Sequence, residues 1–592
     1  MSEQRNLILA IVLSAAVLFG WQYFIAGPQM AQEQARQAAL AEQAAEIEGQ
    51  AQGTIPILPR EALPRDEALT QTPRVPIETL TVDGSVNLTG ALLDDLRLRD
   101  YHLTPDPESG EIELFSPLNA EHSYFVDMGW FGPQGANYDL PGLQSEWAFS
   151  GGSLTPGSEV VLTYDGADGL IFTRRISIDE RYMFTISDRV DNQSGAPVIL
   201  YPYARIQRPD LPAIPSTWVV HDGFIGVADG VLQDPSYDEL ADGNLTERFE
   251  SIGGWAGLTD KYWMSALIPD QQEEVSGSFR AFEYNGGTAY EANYEFEPRT
   301  IAPGTAQEIT HRVFAGPKVV NIIEDYRDAY DIPLFDYAID WGWFWFLTKP
   351  IFLSLDYIFR FVGNFGVAIL VFTVFVKLLF YPLANTSYRA MGKMKKLQPE
   401  MEALRERFKD DKTQLQQGMM ALYQKEKVNP LAGCLPILVQ IPVFFSLYKV
   451  LFVTIEMRHA PFFGWIRDLS AIEPISIVNL FGLLPFTPPG FLMIGVFPIV
   501  MGLTMWIQMR LNPPPADPVQ QRIFGLMPWF FMIMLASFPA GLVIYWTWNN
   551  ILSIAQQAYI MRQSGVPIDL FDKLANRFKR GQTEENSAPP PD

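Results

Sequence analysis

Apolar residues fall into two patterns along this chain. Long, nearly unbroken runs occupy 7–26, 363–383, 431–453, 491–511 and 523–561. At about 1.5 Å of rise per residue, a run of about 20 covers the roughly 30 Å hydrocarbon core of a bilayer. Between 77 and about 320 the pattern is different. Short stretches such as 80–88, 159–164, 170–178 and 182–190 alternate apolar with polar positions and are divided by Gly, Asp, Asn and Pro. That period of two predicts antiparallel strands in a large all-β domain, a sandwich long enough to bury its own core.

The first run reads as a retained anchor over 1–27 rather than a cleaved signal, because Trp21, Tyr23 and Phe24 stand where small cleavage-site residues belong. An Ala-, Gln- and Pro-rich linker follows at 28–76, and the β domain takes 77–335. Residues 336–362 crowd Trp341, Trp343, Phe344, Trp345 and Phe346 among Asp340, Lys349, Asp356 and Arg360. Such a segment suits an amphipathic helix lying in the membrane interface.

Basic residues set the orientation. The stretch 389–427 holds ten Lys and Arg and belongs in the cytoplasm. The loop 458–490 is balanced and lies outside. Arg510, Arg522 and the basic tail 563–592 lie inside, so the last apolar run must cross twice, turning at Pro539-Ala540-Gly541. The spans are then 363–383, 431–453, 491–511, 523–538 and 540–561, within a core of 363–562. With the anchor this makes six spans, both termini cytoplasmic, and the β domain outside. Within 388–428, Met391, Met394, Leu397, Met401, Leu404 and Phe408 recur at spacings of three and four. Leu415, Met419 and Leu422 repeat the stripe after a polar break. Two stripes predict an antiparallel helical hairpin, with Pro399 kinking the first helix or marking a helix start.

Charge sharpens the division. Residues 27–349 hold 20 basic and 51 acidic side chains, and the remainder 23 and 17. No long basic patch marks the chain for nucleic acid. Cys434 is the sole cysteine and the five histidines are scattered, so no disulfide framework or metal cluster is indicated. No GxxxxGK[ST] loop suggests ATP, and no cofactor is called for. The informative residue is Lys377, a charge inside an apolar span, which costs a few kcal/mol unless it faces water or a partner. Thr373 lies on the same helix face. Gln440, Gln508, Tyr545, Trp546, Asn549 and Asn550 add polar groups to other spans. Singly each could bond only a neighbouring helix; together they predict a hydrophilic cavity.

The stretches TVFVKLLFYPL (373–383), MALYQKEKV (419–427) and NPLAGCLPILVQIPVFFSLY (429–448), with Leu397-Gln398-Pro399, Asp468-Leu469-Ser470 and Phe538–Leu542, resemble the YidC family of membrane-protein insertases. The resemblance is dense over 361–562. The anchor and outer domain are similar to the Gram-negative bacterial form. It implies a polytopic α-helical protein of the bacterial inner membrane, with a five-helix core around a groove and a periplasmic β-supersandwich. It implies a non-enzymatic insertase and chaperone for nascent inner-membrane proteins, working alone or beside the Sec translocon, with the ribosome and membrane lipids as partners. Groove and substrate contacts would be Lys377, Thr373, Gln440, Phe444, Gln508, Tyr545 and Trp546. The family usually has Arg at position 377, so the planar fork is lost here and the charge kept. Capture would fall to the hairpin stripe of Met391, Met394, Leu397, Met401, Leu404, Met419 and Leu422.

Two other readings compete. An ion or solute transporter using Lys377 as a proton or anion site predicts internal repeats and paired broken helices, which the unequal loops disfavour. A sugar-binding or mutarotase domain on a passive anchor leaves Lys377 and the hairpin without a role.

Overall fold

The computed structural model describes residues 62–209, 211, 221–241, 246–284, 287–408, 411–426, 428, 435–481, 483–484, 486, 493–512 and 518–565. The anchor, most of the linker, Cys434 and the tail beyond 565 lie outside the described residues.

Strict alternation makes the strands. Leu170–Ile178 buries every second side chain, Met183–Asn192 does nearly the same, and the two pair antiparallel in register from Leu170↔Asn192 to Ile178↔Phe184. Nineteen described strands form a ten-stranded and a nine-stranded sheet. The first runs from Arg74–Glu78 at one edge, through Val198–Pro209, to Thr246–Ile252. The second runs from Val231–Gln233 through Ala306–Pro317 to Ala148–Ser150. A single apolar core joins them, with Phe172, Phe184, Phe279 and Phe314 fully buried.

Polar groups stitch the sheets together. Arg174 pairs with Asp188 on its own sheet at 2.6 Å and donates across to Met128 O at 2.8 Å on the other. Tyr294 and His311 likewise meet across the sandwich at 3.0 Å. These buried groups thereby find partners, without which burial would cost about 1–3 kcal/mol per group.

Helix α1 (Val320–Ala329) closes the sandwich with Ile323 and Tyr326 buried. The chain then passes through a 3-10 turn at Phe335–Ala338 into α2 (Trp345–Val362). The helix therefore starts nine residues later than the aromatic composition suggested. Trp341 falls in the irregular approach and is buried against Phe352, because packing rather than composition decides which aromatic faces outward. Trp343, Trp345, Phe346, Tyr357 and Phe361 remain exposed.

Gly363 ends α2 at φ +68°, a left-handed conformation that glycine adopts without strain. Asn364 caps α3 (Phe365–Leu379) by accepting from Val367 N at 3.0 Å. The apolar run continues to 383, but α3 stops at Leu379. Tyr381 opens α4 (Tyr381–Lys396), with Pro382 in its first turn where a missing N–H costs nothing, and the two axes meet at 68°. Lys377 is consequently in the last turn of a helix beside a bend, not midway along an uninterrupted span.

Helices α5 (Gln398–Arg407) and α6 (Lys412–Lys425) form the hairpin, and Pro399 marks the start of α5. The core continues with α7 (Leu435–Val453), α8 (Val496–Leu511), α9 (Pro518–Leu535) and α10 (Ala540–Gln563). Helix α10 is central, packing against α3, α4, α7 and α8. Its first amides donate to Ala471 O (2.8 Å) and Leu469 O (2.9 Å), so the loop after α7 caps it. Among the described residues no single helix is long and apolar enough to cross a membrane, though the bent pair α3–α4 passes jointly.

Candidate functional site

A polar seam lies where α3, α4, α7 and α10 converge. Tyr545, Asn549, Ser553 and Gln557 recur every four residues on α10 and therefore share one face. All four are buried. Lys377 donates to Ser553 Oγ at 2.9 Å, and Ser553 donates in turn to Asn549 O at 2.7 Å. From α7, Gln440 Nε2 donates to the Tyr545 hydroxyl. Lys377 and Gln440 both line a cavity of about 40 Å³, together with Phe380, Tyr388, Val443 and Gln556. That volume accommodates about three or four water molecules, by the rough measure of 10–15 Å³ for each.

The cation in this seam has no counter-charge. No carboxylate among the described residues pairs with Lys377; its one recorded hydrogen-bond partner is the Ser553 hydroxyl. Position in the last turn of α3 gives it some compensation, since helix C-termini carry partial negative charge worth about 0.3–1 kcal/mol.

The residues expected at the groove divide into three groups. Lys377, Gln440 and Tyr545 come together in the seam. Phe444 and Trp546 meet each other instead, with ring centroids 4.5 Å apart, and Trp546 packs on Phe531. They form an apolar wall. Thr373 is buried and donates back to Ile369 O in its own helix at 2.6 Å, so its hydroxyl is occupied. Gln508, on α8, is not among the residues lining the cavity. Ser553, Tyr388 and Gln556 escaped sequence reasoning. The four-residue spacing from Tyr545 was visible for Ser553, but serine in an apolar helix reads as packing.

In the hairpin, Leu397, Met401, Met419, Leu422 and Val428 make one small core, with Met394, Leu404 and Leu415 at its margin. Gly418 brings α6 close to Leu404, whose Cδ2 would stand 3.4 Å from an added Cβ. Met391 departs from the expected stripe. It packs with Tyr388 and with Ile560 of α10, tying the base of the hairpin to the core.

With this geometry established, relatives give it a family. The 60Kd inner membrane protein family matches residues 357–566 and the YidC periplasmic domain family matches 74–354. Membrane protein insertase YidC of Sinorhizobium fredii is 50% identical over 588 residues, covering 98% of this chain and 99% of that protein. The protein of the same name from Brucella suis is 50% identical over 613 residues, covering 99% and 100%. Among solved structures, an active YidC insertase with its first transmembrane domain resolved aligns with 81% of this chain and 91% of that one, at 19% identity and a TM-score of 0.35. A putative aldose 1-epimerase from Escherichia coli aligns with 41% of this chain and 99% of its own, at 11% identity and a TM-score of 0.28. Identity of one residue in two across nearly the whole length, with a family match on the β domain and another on the helical core, places this chain in the YidC family of membrane protein insertases.

Proposed function

We propose that this membrane protein insertase receives the hydrophilic end of a client segment at the seam around Lys377. The observation that carries the reading is a half-buried ammonium met by one serine hydroxyl and, among the described residues, by no carboxylate. A charge kept unpaired is a standing cost. An acidic client tail would offset that cost on arrival; at an effective dielectric near 20 a pair about 4 Å apart gains about 4 kcal/mol before desolvation. Gln440, Tyr545 and Ser553 supply further hydrogen-bonding groups, so the tail exchanges water for polar side chains rather than for lipid.

In this reading the hairpin of α5 and α6 captures an emerging apolar segment in the cytoplasm, near the ribosome. The seam takes the tail, and the aromatic wall of Phe444 and Trp546 guides the segment sideways into the bilayer, alone or beside the Sec translocon. Six spans, cytoplasmic termini and a periplasmic β domain complete the arrangement; the positive charge of 389–427 supports it. No bond is made or broken, so the work is non-covalent. The transporter reading would need a second charged partner for Lys377 inside the helices, and among the described residues none pairs with it.

The test is an insertion assay on an acidic-tailed and a neutral-tailed client with Lys377→Arg, Lys377→Ala and Lys377→Glu at matched protein levels. The acidic-tailed client should suffer most from the charge reversal. Equal effects on both clients would remove the electrostatic role.

A further inference from the structure

A second cavity, mostly apolar in its lining and sharing no residue with the one at Lys377, lies where the β domain meets the approach to α2. It has a volume of about 170 Å³, over ten times the roughly 10–15 Å³ that admits one water. Its floor holds Lys318, which is 4% exposed and donates to Thr259 Oγ1 at 2.8 Å. Among the described residues no carboxylate forms a salt bridge with it, although Asp222, Asp260 and Asp340 lie near enough to feel its charge. Burial lowers its pKa to about 8, the behaviour of an ammonium short of a counter-ion.

The rest of the wall has the opposite character. Asp340 is engaged, accepting from Lys449 at 2.5 Å and from Gly342 N at 3.0 Å. Asp234 stands exposed at the rim with no salt bridge among the described residues. Trp341 also lines the cavity, and its buried indole N–H finds no acceptor among the described residues. Trp345 forms the lip, 52% exposed, beside Trp343 at 91%.

These features select a ligand class. A cation inside with no salt bridge among the described residues, and at the rim a carboxylate whose charge partner is the lining residue His221, disfavour a ligand of one sign and suit one that carries both. The indole N–H and the ammonium are donors, so the inner group must be an acceptor, as a phosphate is. The exposed tryptophans at the start of an amphipathic helix belong at headgroup depth in a bilayer. We propose that this cavity binds the headgroup of an amine-bearing phospholipid, with phosphate on Lys318 and ammonium at Asp234, while the acyl chains leave past Trp345. The site would dock the β domain onto the outer leaflet through a specific lipid rather than by apolar contact alone.

The full chain in phosphatidylglycerol nanodiscs, doped with phosphatidylethanolamine carrying a diazirine on its acyl chain, tests this directly. The comparator is phosphatidylglycerol with the same diazirine chain. Photocrosslinks mapped by mass spectrometry should concentrate at residues 337–345 and favour the ethanolamine lipid. Losing one charge-assisted contact corresponds to about tenfold or more in affinity, so Lys318→Met and Asp234→Asn should each cut the yield by that order. Asp234 is exposed, so its variant keeps the test sound even if Lys318→Met fails to fold. Equal crosslinking from both headgroups, or an unchanged yield in Asp234→Asn, overturns the proposal. Soluble glycerophosphoethanolamine is the competitor. Failure to compete supports the lipid, whereas full competition assigns the same chemistry to a soluble ligand and overturns the lipid docking.

Discussion

The β domain buries cations and the helical core half-buries one, and they treat them in opposite ways. Arg174 in the sandwich is surrounded: Asp188 takes Nε at 2.6 Å and Nη2 at 2.7 Å, while Ala91 O and Met128 O accept at 2.9 and 2.8 Å. Arg205 is tied to Asp127, and Glu291 to Arg280. Lys377 in the core has one serine hydroxyl. A satisfied charge is architecture, because every interaction it can make is already made. An unsatisfied one is a standing capacity for a partner from outside the chain. The residue types match the tasks. Arginine's rigid fork serves a permanent lattice of acceptors, whereas lysine's single ammonium on a flexible stem can let go of a serine and meet a moving carboxylate.

The comparison predicts that breaking the lattice does the most damage. Arg174→Met leaves Asp188 buried and uncompensated and should destabilise the β domain by about 3–5 kcal/mol. Hydrogen exchange across 170–192 in the full chain would report it. A loss below about 1 kcal/mol would show that the pair is not the stitch described. The double variant Arg174→Met with Asp188→Leu should recover much of the loss, because two apolar groups of similar volume leave nothing unpaired.

At Lys377 stability and function should separate. Lys377→Ala should leave the fold intact and impair acidic-tailed clients moderately, since Gln440, Tyr545 and Ser553 keep the seam polar. Lys377→Arg should be tolerated. Lys377→Glu turns attraction into repulsion, a swing of up to about 8 kcal/mol, twice the roughly 4 kcal/mol of one pair before desolvation. If Lys377→Ala unfolds the core as Arg174→Met unfolds the sandwich, the contrast between the two cations collapses.

How much of this was readable beforehand follows the same division. Alternation in 170–178 announced a strand, and the strand is Leu170–Ile178 itself, because a period of two on a half-buried sheet leaves little freedom. Lys377 announced itself by contrast with its apolar surroundings. The bend at Phe380 did not, since the residues on both sides are equally apolar and only Pro382 hinted at a new helix start. Trp341 and Met391 misled for one reason. Composition places an aromatic at an interface and a methionine on a hairpin stripe, whereas the contacts that bury them come from Phe352, across a turn of chain, and from Ile560, far away in sequence. Ser553 was hidden by its blandness, and the lysine that gives it meaning is 176 residues away.

His311 offers a smaller effect within the sandwich, where its Nδ1 meets the Tyr294 hydroxyl and its Nε2 has no hydrogen-bond partner among the described residues. It is fully buried against Tyr294, Phe296 and the underside of the Arg174 lattice, and burial lowers its pKa to about 4 from an ordinary 6.5. A depressed histidine pKa means the unfolded chain binds the proton more readily. Its contribution is therefore complete above pH 6.5 and is lost as pH falls from 6.5 towards 4, amounting to about 3 kcal/mol. His311→Gln should flatten that part of the β domain's stability profile. An unchanged profile between pH 6.5 and 4 would assign the acid sensitivity to other groups.

The smallest expected effect is on insertion itself when the sandwich is removed. The seam and the hairpin are built from residues 365–563, and none of the cavity-lining residues around Lys377 comes from the β domain. The two parts nevertheless touch. Glu456 accepts from Val320 N at 3.1 Å, Asp340 pairs with Lys449, and Arg458 donates to His102 O. Two of these three contacts reach the segment from Val320 to α2, not the strands. A deletion of 77–319 that keeps the anchor and everything from Val320 onward should therefore retain most insertion of both client types, with a loss of at most a few-fold. A deletion extended through Asp340 removes the partners of Glu456 and Lys449 and leaves both charges at a newly exposed surface, so it should lose distinctly more. Insertion assays on the two truncations, compared at equal membrane abundance, decide between them. Equal and complete loss in both would mean that the sandwich itself, and not its junction with the core, is part of the inserting machinery.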